Sequence, residues 1–232
     1  MFKPMSRAGN TSNKEGVPHD EARSVSILYK EQLMPGRASH TDGWMTRKIK
    51  EEAGGAYRAW LPRLRLANLL CKAIPPLSLS TVRAAVYRAI GFDIGDRVSF
   101  FSGITVIGAG REVYSRLSVG EGSIIALNPV FNLDARIAIG RNVSIGPFVS
   151  VYTSTHMLGP ASRRMQLEVM TKPVVIEDGT WVGAGSIILP GVVIGRGCVV
   201  SAGSVVKTSI PPNTLVAGNP AVSVNTLPLQ DR

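Results

Sequence analysis

Two patterns of apolar positions divide the chain. Beyond Ile94, aliphatic residues return at every sixth position, most clearly at Ile176, Val182, Ile188, Ile194, Val200 and Val206. Four residues after each come Thr180, Ser186, Val192, Cys198, Ser204 and Ile210, small or β-branched, and Gly179, Gly185, Gly191, Gly197 and Gly203 stand just before five of them. An upstream block keeps the spacing at Leu133, Ile139, Ile145 and Val151, and a less regular one runs through Ile107, Val113, Val119 and Ile125. A helix repeats at 3.6 and a half-buried strand at two, so a period of six predicts one short strand and one turn per hexad. Three such strands close a triangular coil of about 18 residues, and stacked coils form a parallel β-helix with a narrow aliphatic interior.

Before Ile94 the period is helical. Trp60, Leu64, Ala67/Asn68 and Cys71 recur at three-to-four spacing, Pro75-Pro76 end the run, and a second helix follows. For that second helix the pattern predicts Ser80 as N-cap, an apolar face of Val82, Ala85/Val86 and Ala89/Ile90, and Gly91 as the stop. Residues 1–43 mix Ser, Gly, Asn, Pro and charges without a sustained period, apart from a short helix expected near Ser26–Leu33. The expected division is a flexible arm over 1–43, a basic helical region over 44–93, the β-helix over 94–224 and a tail over 225–232.

Composition sharpens this division. Of 232 residues 44% are hydrophobic but only 6% aromatic, which suits a narrow interior that accepts aliphatic side chains and little else. The net charge of +10 is concentrated in residues 1–92, which hold 15 Lys/Arg and 7 Asp/Glu. Arg63, Arg65, Lys72, Arg83 and Arg88 interleave with apolar residues there, a pattern of either a cap with solvated charges or a helix pair in peripheral contact with an anionic membrane. The basic region lacks the aromatic interleaving of a nucleic-acid site. Neither an apolar run of transmembrane length nor an N-terminal signal core is present, so a cytoplasmic protein is expected. Cys71 and Cys198 have no metal or disulfide spacing, which fits a reducing compartment and two packing residues.

The repeat breaks once. Val151 and Ile176 are 25 residues apart, four hexads plus one, so Met157–Thr171 is expected to leave the coil as a loop. His156 stands immediately before it and is the one histidine of the repeat region, His19 and His40 lying in the arm. Interruptions of a solenoid are where function concentrates, because regular coils are occupied with stacking. Imidazole is the usual general base for a hydroxyl acceptor at neutral pH. Three histidines, as a zinc-binding β-helix enzyme needs, are lacking in the repeat region, so no metal site is expected.

Hexads such as IGRNVS, VGAGSI and IGRGCV resemble those of the hexapeptide-repeat acyltransferases over about residues 94–224. The stretch YTSTH, a polar loop, then KPVVIEDGTWVGAGSIILPGVVIGRGCVVSAGSVVKTSIPPNTLVAGNPA is similar to the maltose/galactoside O-acetyltransferase branch and its polysaccharide-acetylating relatives. The resemblance implies a left-handed coil, an all-β parallel β-helix, a homotrimer with active sites between subunits, and acetyl-coenzyme A as donor. It implies His156 as catalytic base, abstracting a proton from a hydroxyl of a sugar, polysaccharide or glycolipid precursor. It further implies Asn128, Asp134 and Trp181 near the acceptor, Asn132 competing with Asn128, and coenzyme contacts at Ala184, Ala202, Lys207 and Thr208. The usual Thr-Lys-Asp-Ile-Pro is here Val206-Lys207-Thr208-Ser209-Ile210-Pro211, and Val222 replaces the arginine after the closing NPA. The coenzyme phosphates would then meet Lys207 or the basic N-terminal region. Glu168 either orients His156 or solvates the loop. An N-acyltransferase of an amino sugar, acylation of a small natural product, and a non-catalytic β-helix scaffold are the competing readings.

Overall fold

The computed structural model describes residues 61–228, so the arm 1–43, Trp60 and the expected helix upstream of it lie outside the described residues. Two helices, α1 (Pro62–Ala73) and α2 (Ser80–Ala89), precede five coils of three strands. The coils are β1 (Asp93–Ile94), β2 (Ser99–Phe100) and β3 (Thr105–Ile107); β4 (Leu117–Val119), β5 (Ile124–Ile125) and β6 (Val130–Asn132); β7 (Ile137–Ile139), β8 (Ser144–Ile145) and β9 (Ser150–Val151). After a hairpin of β10 (Ser154–Leu158) and β11 (Met165–Thr171) come β12 (Val174–Ile176), β13 (Trp181–Val182) and β14 (Ile187–Ile188), then β15 (Val193–Ile194), β16 (Val199–Val200) and β17 (Val205–Val206). The chain closes with β18 (Thr214–Gly218) and β19 (Ala221–Thr226).

Every third strand of the coils pairs in parallel, which makes three faces of a left-handed parallel β-helix. Face 1 is β1-β4-β7-β12-β15; face 2 is β2-β5-β8-β13-β16-β18, with β19 antiparallel on its end; face 3 is β3-β6-β9-β14-β17. The register stacks like positions, for example Val119, Ile139, Ile176 and Ile194 on face 1 and Ile145, Val182 and Val200 on face 2, all buried. The small residues four positions on are buried as well, and their hydroxyls satisfy carbonyls of the next coil: Thr180 donates to Gly195 O and Ser186 to Ser201 O, each at 3.0 Å. Coils approach closely at the turns, where a Cβ on Gly183 would lie 2.5 Å from the Ala202 nitrogen.

The irregular block differs from its expected phase. Ile107 is 44% exposed, and Val113 is buried within a 3-10 turn, Arg111–Ser115, rather than in a strand. Between β6 and β7 the inward residue in register with Val151 is Phe131, not Leu133, so eight positions rather than six separate it from Ile139. Leu133 is buried in that longer turn. The last strand runs to Thr226, which takes in the first residues of the expected tail; residues 229–232 lie outside the described residues.

In the cap, α1 buries Leu64, Ala67 and Cys71 as its spacing predicts. The second helix is rotated from its expected face: Arg83, Ala84 and Tyr87 are buried, while Val82 is 42% exposed. Its N-cap is Leu79, not Ser80, whose hydroxyl bonds instead to Ser99 at 3.2 Å. The rotation has a cause in Arg83, whose five N–H groups all find main-chain carbonyls inside the cap. Gly91 ends the helix at φ 110°, where its N–H donates to Arg88 O.

Candidate active site

The edge between faces 3 and 1 carries the densest side-chain hydrogen bonding outside the cap. The lengthened turn after β6 brings Asn132 and Asp134 beside Thr153 and Ser154 of the next coil. Asn132 is 3% exposed, its Nδ2 donating to Asp134 Oδ2 at 2.9 Å and its Oδ1 accepting from the Thr153 N–H at 3.1 Å. The buried Thr153 hydroxyl donates to Asn132 O at 2.7 Å and accepts from the Ala135 N–H at 2.8 Å. Ser154 Oγ donates to Asp134 Oδ2 at 2.7 Å. The amide thus has both ends engaged, and its orientation follows from its partners.

Ser154 opens β10. Alternate residues of a strand share a side, so His156 stands on the side of β10 that Ser154 occupies toward Asp134. His156 is exposed. The returning chain closes the hairpin root where the Lys172 N–H donates to Thr153 O at 2.8 Å. The hairpin tip spans Met157–Gln166. It holds its own turn by Gly159 N–H to Arg164 O and Arg163 N–H to Pro160 O. Two coils beyond the hairpin root on the same edge are Lys207, half-buried, and Thr208, exposed.

The edge between faces 2 and 3 is smooth. Ala184 and Ala202 are exposed on successive coils beside Gly185 and Gly203, at which an added Cβ would meet nothing within 4 Å. The Gly203 N–H donates to Ala184 O and the Gly185 N–H to Pro147 O, each at 2.8 Å, which aligns these turns. Small residues leave the main chain open to close approach by a ligand. Higher on this edge Asn128, at φ 52°, donates its N–H to Ser102 Oγ at 2.8 Å. Asn128 borders a cavity of about 550 Å³ beneath α1, lined also by Arg65, Asn68 and Lys72. Trp181 lies on face 2 between Ser144 and Val199, 57% exposed.

One chain therefore groups Asp134 and Asn132 with the strand of His156, and sets Asn128, Ala184 and Ala202 on a different edge across face 3. Of the two asparagines, Asn132 shares the edge of His156. The sequence alone does not point to Ser154, whose bond to Asp134 depends on the register of neighbouring coils, or to Phe148. Phe148 is 61% exposed at φ 58°, on the turn between Asn128 and Ala184. The available signal was a bulky residue at the turn position where Asn128, Gly185 and Gly203 stand in other coils. Both cysteines are buried and free, and burial pushes their thiols up, away from the thiolate that a covalent route needs. Among the described residues no three metal-ligating side chains cluster.

Residues 173–208 match the model of the bacterial transferase hexapeptide (six repeats). Nodulation protein L of Rhizobium leguminosarum bv. viciae is 34% identical over 192 residues, 76% of this chain and 94% of that protein. The chain belongs to the hexapeptide-repeat acetyltransferase family. Three other curated relatives at 44–46% identity, nodulation protein L of Rhizobium meliloti among them, are matched over 44–60% of their own lengths. A hexapeptide-repeat acetyltransferase from Vibrio cholerae, solved with acetyl-coenzyme A, superposes at TM-score 0.61 with 31% identity over 86% of this chain and 97% of that one. A maltose O-acetyltransferase from Clostridium difficile superposes at TM-score 0.61 with 29% identity, over 78% of this chain and 88% of that one.

Proposed function

We propose that the protein is an acetyl-coenzyme A-dependent O-acetyltransferase, cytoplasmic, acting on a hydroxyl of a sugar or glycan, with His156 as general base. The observation that carries this reading is the buried Asn132–Thr153 bonding together with the Ser154–Asp134 bond, which fixes the start of the strand bearing His156 where the hairpin interrupts the repeat. His156 would take the acceptor proton as its oxygen attacks the thioester carbonyl, and the tetrahedral adduct would collapse by expelling coenzyme A thiolate, which receives that proton. Main-chain N–H groups of a turn would steady the oxyanion. Asp134, half-buried beside Ser154, is suited to accept a hydrogen bond from a second hydroxyl of the acceptor.

The donor would lie along Ala184 and Ala202 of one subunit, with Lys207 and Thr208, which stand on the His156 edge, contributed near its distal end by the neighbouring subunit. Because these alanines and His156 occupy different edges of one prism, we infer that the reaction needs a homotrimer, in which the alanine edge of one subunit faces the His156 edge of the next. Trp181 and Asn128 would border the acceptor from the subunit that contributes the alanine edge.

Calorimetric titration of acetyl-coenzyme A into the protein and into His156→Ala tests the reading without knowledge of the acceptor. Micromolar binding to both, followed by thiol release with sugar acceptors only for the parent, is the expected result. Absence of binding at millimolar donor would leave a scaffold β-helix as the better account.

A further inference from the structure

Helix α1 is apolar on two sides. Leu64, Ala67 and Cys71 are buried, whereas Leu66, Leu69 and Leu70 stand on the opposite side, 58%, 66% and 50% exposed. A helix packed once on a soluble domain has one apolar stripe, and a second stripe requires a second apolar environment.

The loop after α1 extends that stripe. Leu77 and Leu79 take φ of 65° and 47°, a region that bulky side chains enter only under strain, and both are more than 60% exposed. Arg83 holds them there. Its Nε donates to Cys71 O, its Nη1 to Ser78 O and Phe100 O, and its Nη2 to Ile74 O and Pro75 O. With all five donors engaged and three of the acceptors inside the loop, the leucines cannot turn inward without orphaning a buried guanidinium.

Charge identifies what covers this face. Residues 61–92 contain five Lys/Arg and no Asp/Glu. At about 100° per residue, Arg65 and Lys72 fall on one border of the outer leucine stripe and Arg63 on the other. The remainder of the chain carries no net negative charge, since residues 1–60 hold 10 Lys/Arg against 7 Asp/Glu and residues 93–232 hold 11 against 9. A second copy or the chain's own N-terminal segment would bring further positive charge. We propose that this face docks on an anionic lipid surface. Leu66, Leu69, Leu70, Leu77 and Leu79 enter the headgroup boundary, and Arg63 and Lys72 extend to the lipid phosphates. No helix among the described residues is long and apolar enough to cross a membrane, so the contact is peripheral.

Co-sedimentation of the full chain with vesicles of phosphatidylcholine alone, and with phosphatidylglycerol added, tests the proposal. Binding is expected only to the mixed vesicles and is weakened by added NaCl. The double variant Leu77→Asn/Leu79→Asn should bind about tenfold more weakly or worse. Asparagine tolerates the left-handed region better than leucine, so this variant keeps the loop and reports on the apolar contact alone. Arg63→Glu/Lys72→Glu should lose about tenfold as well. Equal sedimentation of the asparagine variant and the parent, or none of the parent with anionic vesicles, overturns the proposal. An assembly that Leu69→Glu dissociates, with vesicle binding absent, would assign the face to a second copy instead.

Discussion

The last two full coils and the three before them obey one repeat with different strictness. From Val174 to Val206 the inward positions are all Ile or Val, and buried Thr180, Ser186 and Ser204 pack under the turns. The three earlier coils depart from that scheme. They admit Phe100 and Phe131, a 3-10 insertion, a turn two residues longer than the hexad allows, and the hairpin that carries His156. A regular coil spends its polar groups on its neighbours; each departure frees or gathers some, and the gathered ones lie at Asn132, Asp134, Thr153 and Ser154. The first way to break this contrast is His156→Ala. It should lower turnover by about 10²–10⁴-fold while donor affinity stays within a factor of two, read by thiol release and calorimetry. Full turnover in that variant would move the chemistry away from the interrupted edge.

The regular half invites the converse experiment. Ile188, fully buried and in register with Val151 and Val206, holds the core together on face 3. Ile188→Ala should cost about 2–5 kcal/mol in chemical denaturation, with turnover per folded molecule unchanged. A large loss of turnover at unchanged stability would mean that the regular coils do more than stack.

How much of this was legible beforehand follows the same division. The hexad phase from Ile176 to Val206 placed the inward and turn residues correctly, because each coil contacts only its neighbours and local spacing determines register. The phase failed at Ile107, Val113 and Leu133, where insertions change the number of residues per coil and spacing alone cannot say which residue turns inward. In α2 apolar spacing points to the wrong face, because a charged residue, Arg83, is the buried one. Of the site, the position of His156 beside the interruption was visible in the chain. The bond from Ser154 to Asp134 at the start of its strand was not, since that depends on which coils are stacked and on a turn two residues longer than the repeat.

Ser154→Ala sharpens the contrast on a smaller scale. It removes the hydroxyl donor to Asp134 and should destabilise by about 1–3 kcal/mol. If Ser154 and Asp134 serve to set the strand of His156, turnover should fall further than stability explains, and Ser154→Thr, which keeps the hydroxyl, should restore it. Equal recovery by alanine and threonine would reduce the cluster to a packing role.

The smallest effect runs in the opposite direction. Phe148 occupies a left-handed turn position that asparagine fills at Asn128 and glycine at Gly185 and Gly203, and its ring lies mostly in solvent. Burial therefore contributes little to offset the strain, and Phe148→Asn should stabilise the protein by about 0.5–1 kcal/mol, measured as a rise in the denaturation midpoint. The ring stands one coil above Ala184, on the edge assigned to the donor. If it packs on the donor or on the facing subunit there, the same substitution should weaken acetyl-coenzyme A binding or trimer assembly while it stabilises the coil. Stability gained with donor affinity and assembly both unchanged would show that strain at Phe148 serves neither, and would leave Ala184 and Ala202 to define that edge on their own.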